Sequence, residues 1–164
     1  MPVIVVANPK GGVGKSTLAT NIAGCLAAAG HAVMLGDVDR QQSARQWLAL
    51  RPPQSPAISG WDVAGNDIVK PPKGTTHVVL DTPAGLHGKR LDAVMRIADR
   101  ILIPLQPSLF DIQATHAFVQ ALRHIGRLKD GAQSKGAREN DLPAVKTAKN
   151  PGALDWRAKH FVEL

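Results

Sequence analysis

The chain has 164 residues, 44% apolar and 20% charged, which suits one soluble domain with a buried core, and no apolar run approaches a membrane span. Aromatics at 4% with no Tyr argue against a base-stacking surface, and the single Cys25 excludes an internal disulfide or a cysteine-rich metal site and suggests a reducing cytosol. A formal charge of +7 and a pI of about 10.0 leave two readings open, a solvated basic surface or a polyanion partner.

The N-terminus shows no basic n-region with a small-residue cleavage site, so no secretion signal is expected. It opens instead on VIVVA, a β-branched run without alternation, as in a strand buried on both faces. The loop NPKGGVGKST follows. From Lys15 to Ala29 the spacing of Leu18, Ile22, Cys25, Leu26 and Ala29 predicts a helix with one apolar face, stopped by Gly30. On this reading Cys25 is a small core residue. HAVMLGDVD is a second strand ending in carboxylates, and SARQWLAL a short helix with Ser43 as N-cap.

AISGWDV offers a third strand, HVVLD a buried one, and TPAG the turn after it. LDAVMRIA is helical and RILIPL another buried strand. A helix then runs from Asp111 to about Leu128, with Ile112, Thr115, Phe118, Val119 and Leu122 on one side. Strands alternating with helices predict βαβ units and a mostly parallel sheet with helices on both faces. Ligands bind such sheets beyond the carboxyl ends of the strands. Three motifs lie there: the glycine loop, Asp37 with Asp39, and DTPAG. The six histidines are dispersed in sequence and point to no metal site.

The glycine loop has the parts a phosphate cradle needs. Glycines let successive N–H groups turn inward, a following helix N-terminus favours anions, a lysine reaches the terminal phosphates and a hydroxyl meets Mg²⁺. Gly11, Gly12, Gly14, Lys15 and Ser16 supply these in order. Lys10 is a second lysine that the cradle does not need, and Pro9 occupies the position where the general pattern has its first glycine.

With that departure, KGGVGKS resembles the deviant phosphate loop of the ParA/MinD family of ATPases. The resemblance implies ATP and Mg²⁺ as ligands, with Lys10, Gly11, Gly12, Val13, Gly14, Lys15, Ser16 and Thr17 at the nucleotide. In that family the extra lysine reaches the nucleotide of the other subunit, so Lys10 is expected to act in trans and Lys15 in cis. GDVDRQQSA is similar to the family's first switch, with Arg40 where proline is usual. By resemblance Asp37 belongs to the Mg²⁺ shell and Asp39 orients the attacking water. VVLDTPAG resembles the second switch, with Asp81 on a Mg²⁺ water beside Ser16 and the Gly85 N–H on the γ-phosphate.

The resemblance covers Pro2 to about Ile125, and LIPLQPSLFDIQAT looks like the family's lead into an interface helix. The expected organisation is therefore a phosphate-loop ATPase domain over 1–128, incomplete because its C-terminal strands are missing or divergent. A basic, irregular or weakly helical tail over 129–164, with one short helix near Trp156, completes the chain. From Ala121 onward nine Lys or Arg stand against five acids, which makes nonspecific DNA an expected partner. The resemblance further implies an ATP-dependent homodimer, a ParB-like stimulating partner, cytoplasmic location without a membrane, and cargo positioning. Two alternatives stay open: a truncated nucleotide-binding module without hydrolysis, and a small-molecule kinase.

Overall fold

A computed structural model describes residues 1–62, 71–130, 146–147 and 160–163, with side chains through residue 125. The elements run β1 (Val3–Val6), α1 (Lys15–Ala28), β2 (Val33–Asp37), α2 (Ser43–Ala49), β3 (Ile58–Trp61), β4 (His77–Asp81), α3 (Gly88–Ile97), β5 (Arg100–Leu105), α4 (Leu109–Asp130), β6 (Lys146–Thr147) and β7 (His160–Glu163). The sheet order is β3-β2-β4-β1-β5-β7-β6. The first five strands pair in parallel with one another, and β7 is antiparallel to both β5 and β6.

Two crossovers each skip one strand: β1 leads through α1 to β2, and β4 leads through α3 to β5, so β4 and β1 end up side by side in the middle, while β2 leads through α2 to its direct neighbour β3. Register then aligns their ends, with Val6 opposite Asp81 and Asp37 opposite Asp81. The three motifs at strand ends are thereby carried to one level of the sheet.

The strands are apolar on both faces because both are covered. Val6, Val33, Leu35 and Val79 face α1 and α2, while Val3, Val5, Val78 and Leu80 face α3 and α4. Val5, Val6, Val78, Val79 and Leu80 are fully buried. Burying a side chain of this size contributes about 1.5–3 kcal/mol.

Three local expectations need correction. In α1 the residues against the sheet are Ala19, Ala23 and Ala27, while Leu18, Ile22 and Leu26 pack at the margins and Cys25 and Ala29 are exposed. Alanines along the contact line let the helix approach the strands closely, and the longer side chains splay outward. Cys25 is therefore not a core residue. The helix does stop at Gly30, where φ is +84°, with Gly30 N–H donating to the Ala27 carbonyl and His31 N–H to that of Leu26.

In α2, Ser43 is already inside the helix and exposed; Gln42 holds the cap position with φ +52°. The capping acceptor is Asp37, supplied from the end of β2. In α4 the buried face holds Thr115, Phe118, Val119 and Leu122 as expected, but Ile112 is exposed and Asp111 is buried. The first turn of α4 faces the phosphate loop, so a charged side chain is the one taken in.

Beyond Lys129, His160–Glu163 forms a strand on β5, whereas the sequence reads there as irregular or weakly helical. The outer edge of β5 offers unpaired backbone groups, and such an edge recruits any strand-compatible segment. The helix expected near Trp156 lies outside the described residues.

Candidate functional site

The loop Asn8–Thr17 leaves β1 and enters α1 with Gly12 at φ +74° and Gly14 at φ +85°. Both are left-handed conformations that a side chain resists, so these two glycines are required by the turn itself. Lys15 is the first residue of α1 and is buried. Its ammonium donates to the Lys10 carbonyl at 2.7 Å. Burial lowers its pKa, while Asp81 and Asp39 act in the opposite sense.

A cleft of about 660 Å³ opens over this loop. Its lining includes Gly11, Gly12, Gly14, Lys15, Ser16 and Thr17 from the loop, Asp39 and Gln41 from the segment after β2, and Pro83 and Ala84 from that after β4. Val13 departs from the expected set in its side chain, which is buried. Only its backbone is available to a ligand.

The carboxylates differ sharply. Asp37 Oδ2 accepts from Ala44 N–H at 2.9 Å and Arg45 N–H at 3.4 Å, and Oδ1 accepts from Asp39 N–H at 2.9 Å. Asp39 lines the cleft and accepts from Gln41 N–H at 3.0 Å. Asp81 is fully buried, and neither oxygen has a hydrogen-bond partner of good geometry. Burial pushes its carboxyl up to about 6; the nearby Ser16 hydroxyl and Lys15 restrain the rise, and Asp37 adds to it. A buried, partnerless carboxylate beside a hydroxyl and a phosphate-binding loop suits a hydrated divalent cation, so the residues present fit Mg²⁺.

Gly85 has φ +69°, and its N–H donates to the Pro9 carbonyl at 2.9 Å. The amide assigned from sequence to the γ-phosphate thus ties the two loops together in this structure. Lys10 lies at the rim, half-exposed, with Nζ 3.4 Å from Asp111 Oδ2.

Sequence reading missed four residues that fix the loop. Asn8 is buried; its amide donates to the Pro104 carbonyl at 2.7 Å and to Thr115 Oγ1 at 3.3 Å, and its carbonyl oxygen accepts from Lys10 N–H at 2.8 Å. Gln106 donates to the Gly12 carbonyl at 3.3 Å. Ser108 and Asp111 cap α4 reciprocally. A polar residue directly after a buried strand and the spacing S-x-x-D were the available signals. At the other ends of the strands, the rings of His31 and His77 come to 4.3 Å of each other, which their separation in sequence hides.

A parallel sheet with a glycine cradle at its topological switch, a helix N-terminus behind the cradle and an orphaned acid on the adjacent strand define a phosphate-loop nucleotide-binding protein. Residues 4–142 match the family described as CbiA, the CobQ/CobB/MinD/ParA nucleotide binding domain, and the chain belongs to that family. It is 37% identical over 116 residues to Maintenance of carboxysome distribution protein A of Gloeobacter kilaueensis, covering 67% of this chain and 51% of that protein. It is 35% identical over 116 residues to Protein ParA of Rhizobium radiobacter, covering 68% of this chain and 51% of that protein. The chain thus spans about half the length of these two relatives. A 48-residue stretch is 50% identical to Chromosome-partitioning ATPase Soj of Thermus thermophilus, covering 29% of this chain and 19% of that protein. A chain of the solved MinC:MinD cell division protein complex of Aquifex aeolicus shares the fold, with TM-score 0.60 and 23% identity over 77% of this chain and 65% of that one.

Proposed function

We propose that the protein is a ParA-like ATPase switch that binds ATP with Mg²⁺, pairs with a second copy when loaded, and hydrolyses ATP slowly. The observation that carries this reading is the meeting, in one cleft, of the glycine cradle, buried Lys15 and Asp39, with the partnerless Asp81 buried next to Ser16 and Lys15 beneath it. In this assignment the loop N–H groups from Gly11 to Thr17 and Lys15 bind the phosphates. Ser16 and Asp81 hold Mg²⁺, which neutralises phosphate charge when bound. Asp37 stands behind them. Asp39, in the cleft wall, orients water, and Lys10 reaches a second subunit's phosphates. Gly85 N–H would exchange Pro9 for a phosphate oxygen.

The relatives' names support cargo positioning as the role, with nonspecific DNA as a track for the basic C-terminal part and a ParB-like protein as stimulator. A cytoplasmic location goes with this reading. Among the described residues no helix is long and apolar enough to cross a membrane. A second reading, a nucleotide-binding module without hydrolysis, is favoured by one feature: the Gly85 N–H and both Asp37 oxygens are already engaged within the chain.

Calorimetry with ATP·Mg²⁺ and a steady-state turnover assay separate the possibilities. Lys15→Ala should weaken ATP binding at least tenfold, since each charge-assisted bond contributes about 1.5–3 kcal/mol. Asp39→Ala should bind ATP normally and turn over more slowly. Unchanged affinity in Lys15→Ala would sink the cradle assignment, and binding without any turnover in the unsubstituted chain would leave the second reading in its place.

A further inference from the structure

Lys10 is held within its own chain at three points. Its N–H donates to Asn8 Oδ1 at 2.8 Å, its carbonyl accepts the Lys15 ammonium at 2.7 Å, and its own ammonium lies 3.4 Å from Asp111 Oδ2. The first and third of these lead to α4, because Asn8 also donates to Thr115 and Asp111 sits in the first turn. Asp111 is shielded, its side chain only 11% exposed, while that of Lys10 is 36% exposed.

Asp111 does not depend on Lys10 for its own stability. It is the third residue of α4, its N–H donates to Ser108 Oγ at 3.1 Å, and the Ser108 hydroxyl donates back to Oδ2. A carboxylate at this position is favoured by the free N–H groups and dipole of the helix start. The Ser108 hydroxyl first, and Lys10 after it, hold its pKa below the ordinary aspartate range. Asp111 therefore stays charged and satisfied when Lys10 leaves, so the pair can open and reclose without stranding a buried charge.

An ammonium engaged on Asp111 is not free to reach phosphates bound by another chain. We propose that Asp111 is the cis counter-ion that positions Lys10 at the rim and sets the threshold at which two ATP-loaded copies of this chain pair. This rests on the reading of Lys10 as a contact in trans. Each copy must open one such pair. An ion pair whose ammonium stands half in solvent is weak, so the gain on removing it is a small factor per chain, and about five- to twentyfold in the dimerisation constant for two.

The test is light scattering on the full chain across a protein dilution series in a slowly hydrolysed ATP analogue with Mg²⁺. Calorimetry on dilute protein reports nucleotide affinity separately. Asp111→Asn should shift dimerisation to about five- to twentyfold lower protein concentration, with nucleotide affinity of the monomer within about twofold of the unsubstituted chain. Asp111→Glu keeps the charge and should restore the original threshold. If thermal melting shows Asp111→Asn unfolded, Asp111→Ser carries the same expectation. A nucleotide-bound Asp111→Asn or Asp111→Ser that dimerises at the original or a higher concentration overturns the proposal while leaving the ATP switch intact. An unsubstituted chain that binds ATP and never dimerises removes the trans reading and the counter-ion role together, and the two failures are told apart by that arm alone.

Discussion

The ends of β2 and β4 are neighbours in register and carry the same residue type, yet their chemistry is opposite. Asp37 is met by three backbone N–H groups, two of them from the first turn of α2. Asp81, one strand over and paired with it in register, has none of good geometry and a carboxyl pushed up to about 6 by burial. What separates them is the segment that follows each strand. After β2 the chain folds back and starts a helix whose free N–H groups meet the carboxylate. After β4 it turns away through Thr82 and Pro83, and the Thr82 hydroxyl goes to the Val6 carbonyl instead. An acid at a strand end is thus a fold element when its own chain returns to it and stays unpartnered when it does not.

Removing Asp37 should break the first half of that contrast, with the largest effect. Asp37→Ala loses the cap of α2 and leaves buried N–H groups unpaired, a destabilisation of about 2–4 kcal/mol. Urea unfolding monitored by circular dichroism would measure it, and a loss under ~0.5 kcal/mol would show that the contacts are incidental.

Asp81 should behave in the reverse way. Its folded pKa of about 6 lies above the ordinary 3.8, so the folded state binds the proton more tightly. Its contribution is fully present below about pH 4 and is lost as pH rises through about 6. At pH 7 the charged form costs on the order of 2–3 kcal/mol. Asp81→Asn should therefore be more stable than the unsubstituted chain at pH 7 by about that amount, with the gap closing near pH 4. The same substitution should abolish any rise in melting temperature produced by Mg²⁺ with ADP. Denaturant midpoints of both proteins between pH 4 and 7.5 compare Asp81 together with its coupling to neighbouring Asp37, because carboxylates remote from it cancel in the difference.

Ser43 gives the smallest effect and sharpens the contrast from the other side. It is the residue that sequence rules select to cap α2, yet it is exposed and Asp37 does the capping. Ser43→Ala should change stability by less than ~0.5 kcal/mol. A cost near 1 kcal/mol in the same urea experiment would return the cap to Ser43.

The sequence by itself determined the five parallel strands, the order of helices and the glycine cradle, because these depend on short-range physics. A β-branched run such as VIVVA has one good conformation, and left-handed turns at Gly12 and Gly14 need only the residues in the loop. Lys15 follows from its place at the start of α1. Tertiary structure decided everything that depends on a partner far along the chain. Whether Leu18 or Ala19 faces the sheet depends on how closely α1 packs, and periodicity at three- and four-residue steps fits both stripes. Asp37 and Asp81 are indistinguishable as letters, and only the return of α2 onto one of them separates a cap from an orphan. Lys10 meets Asp111 across 101 positions of sequence through the placement of α4 beside the loop, a contact that no local pattern encodes.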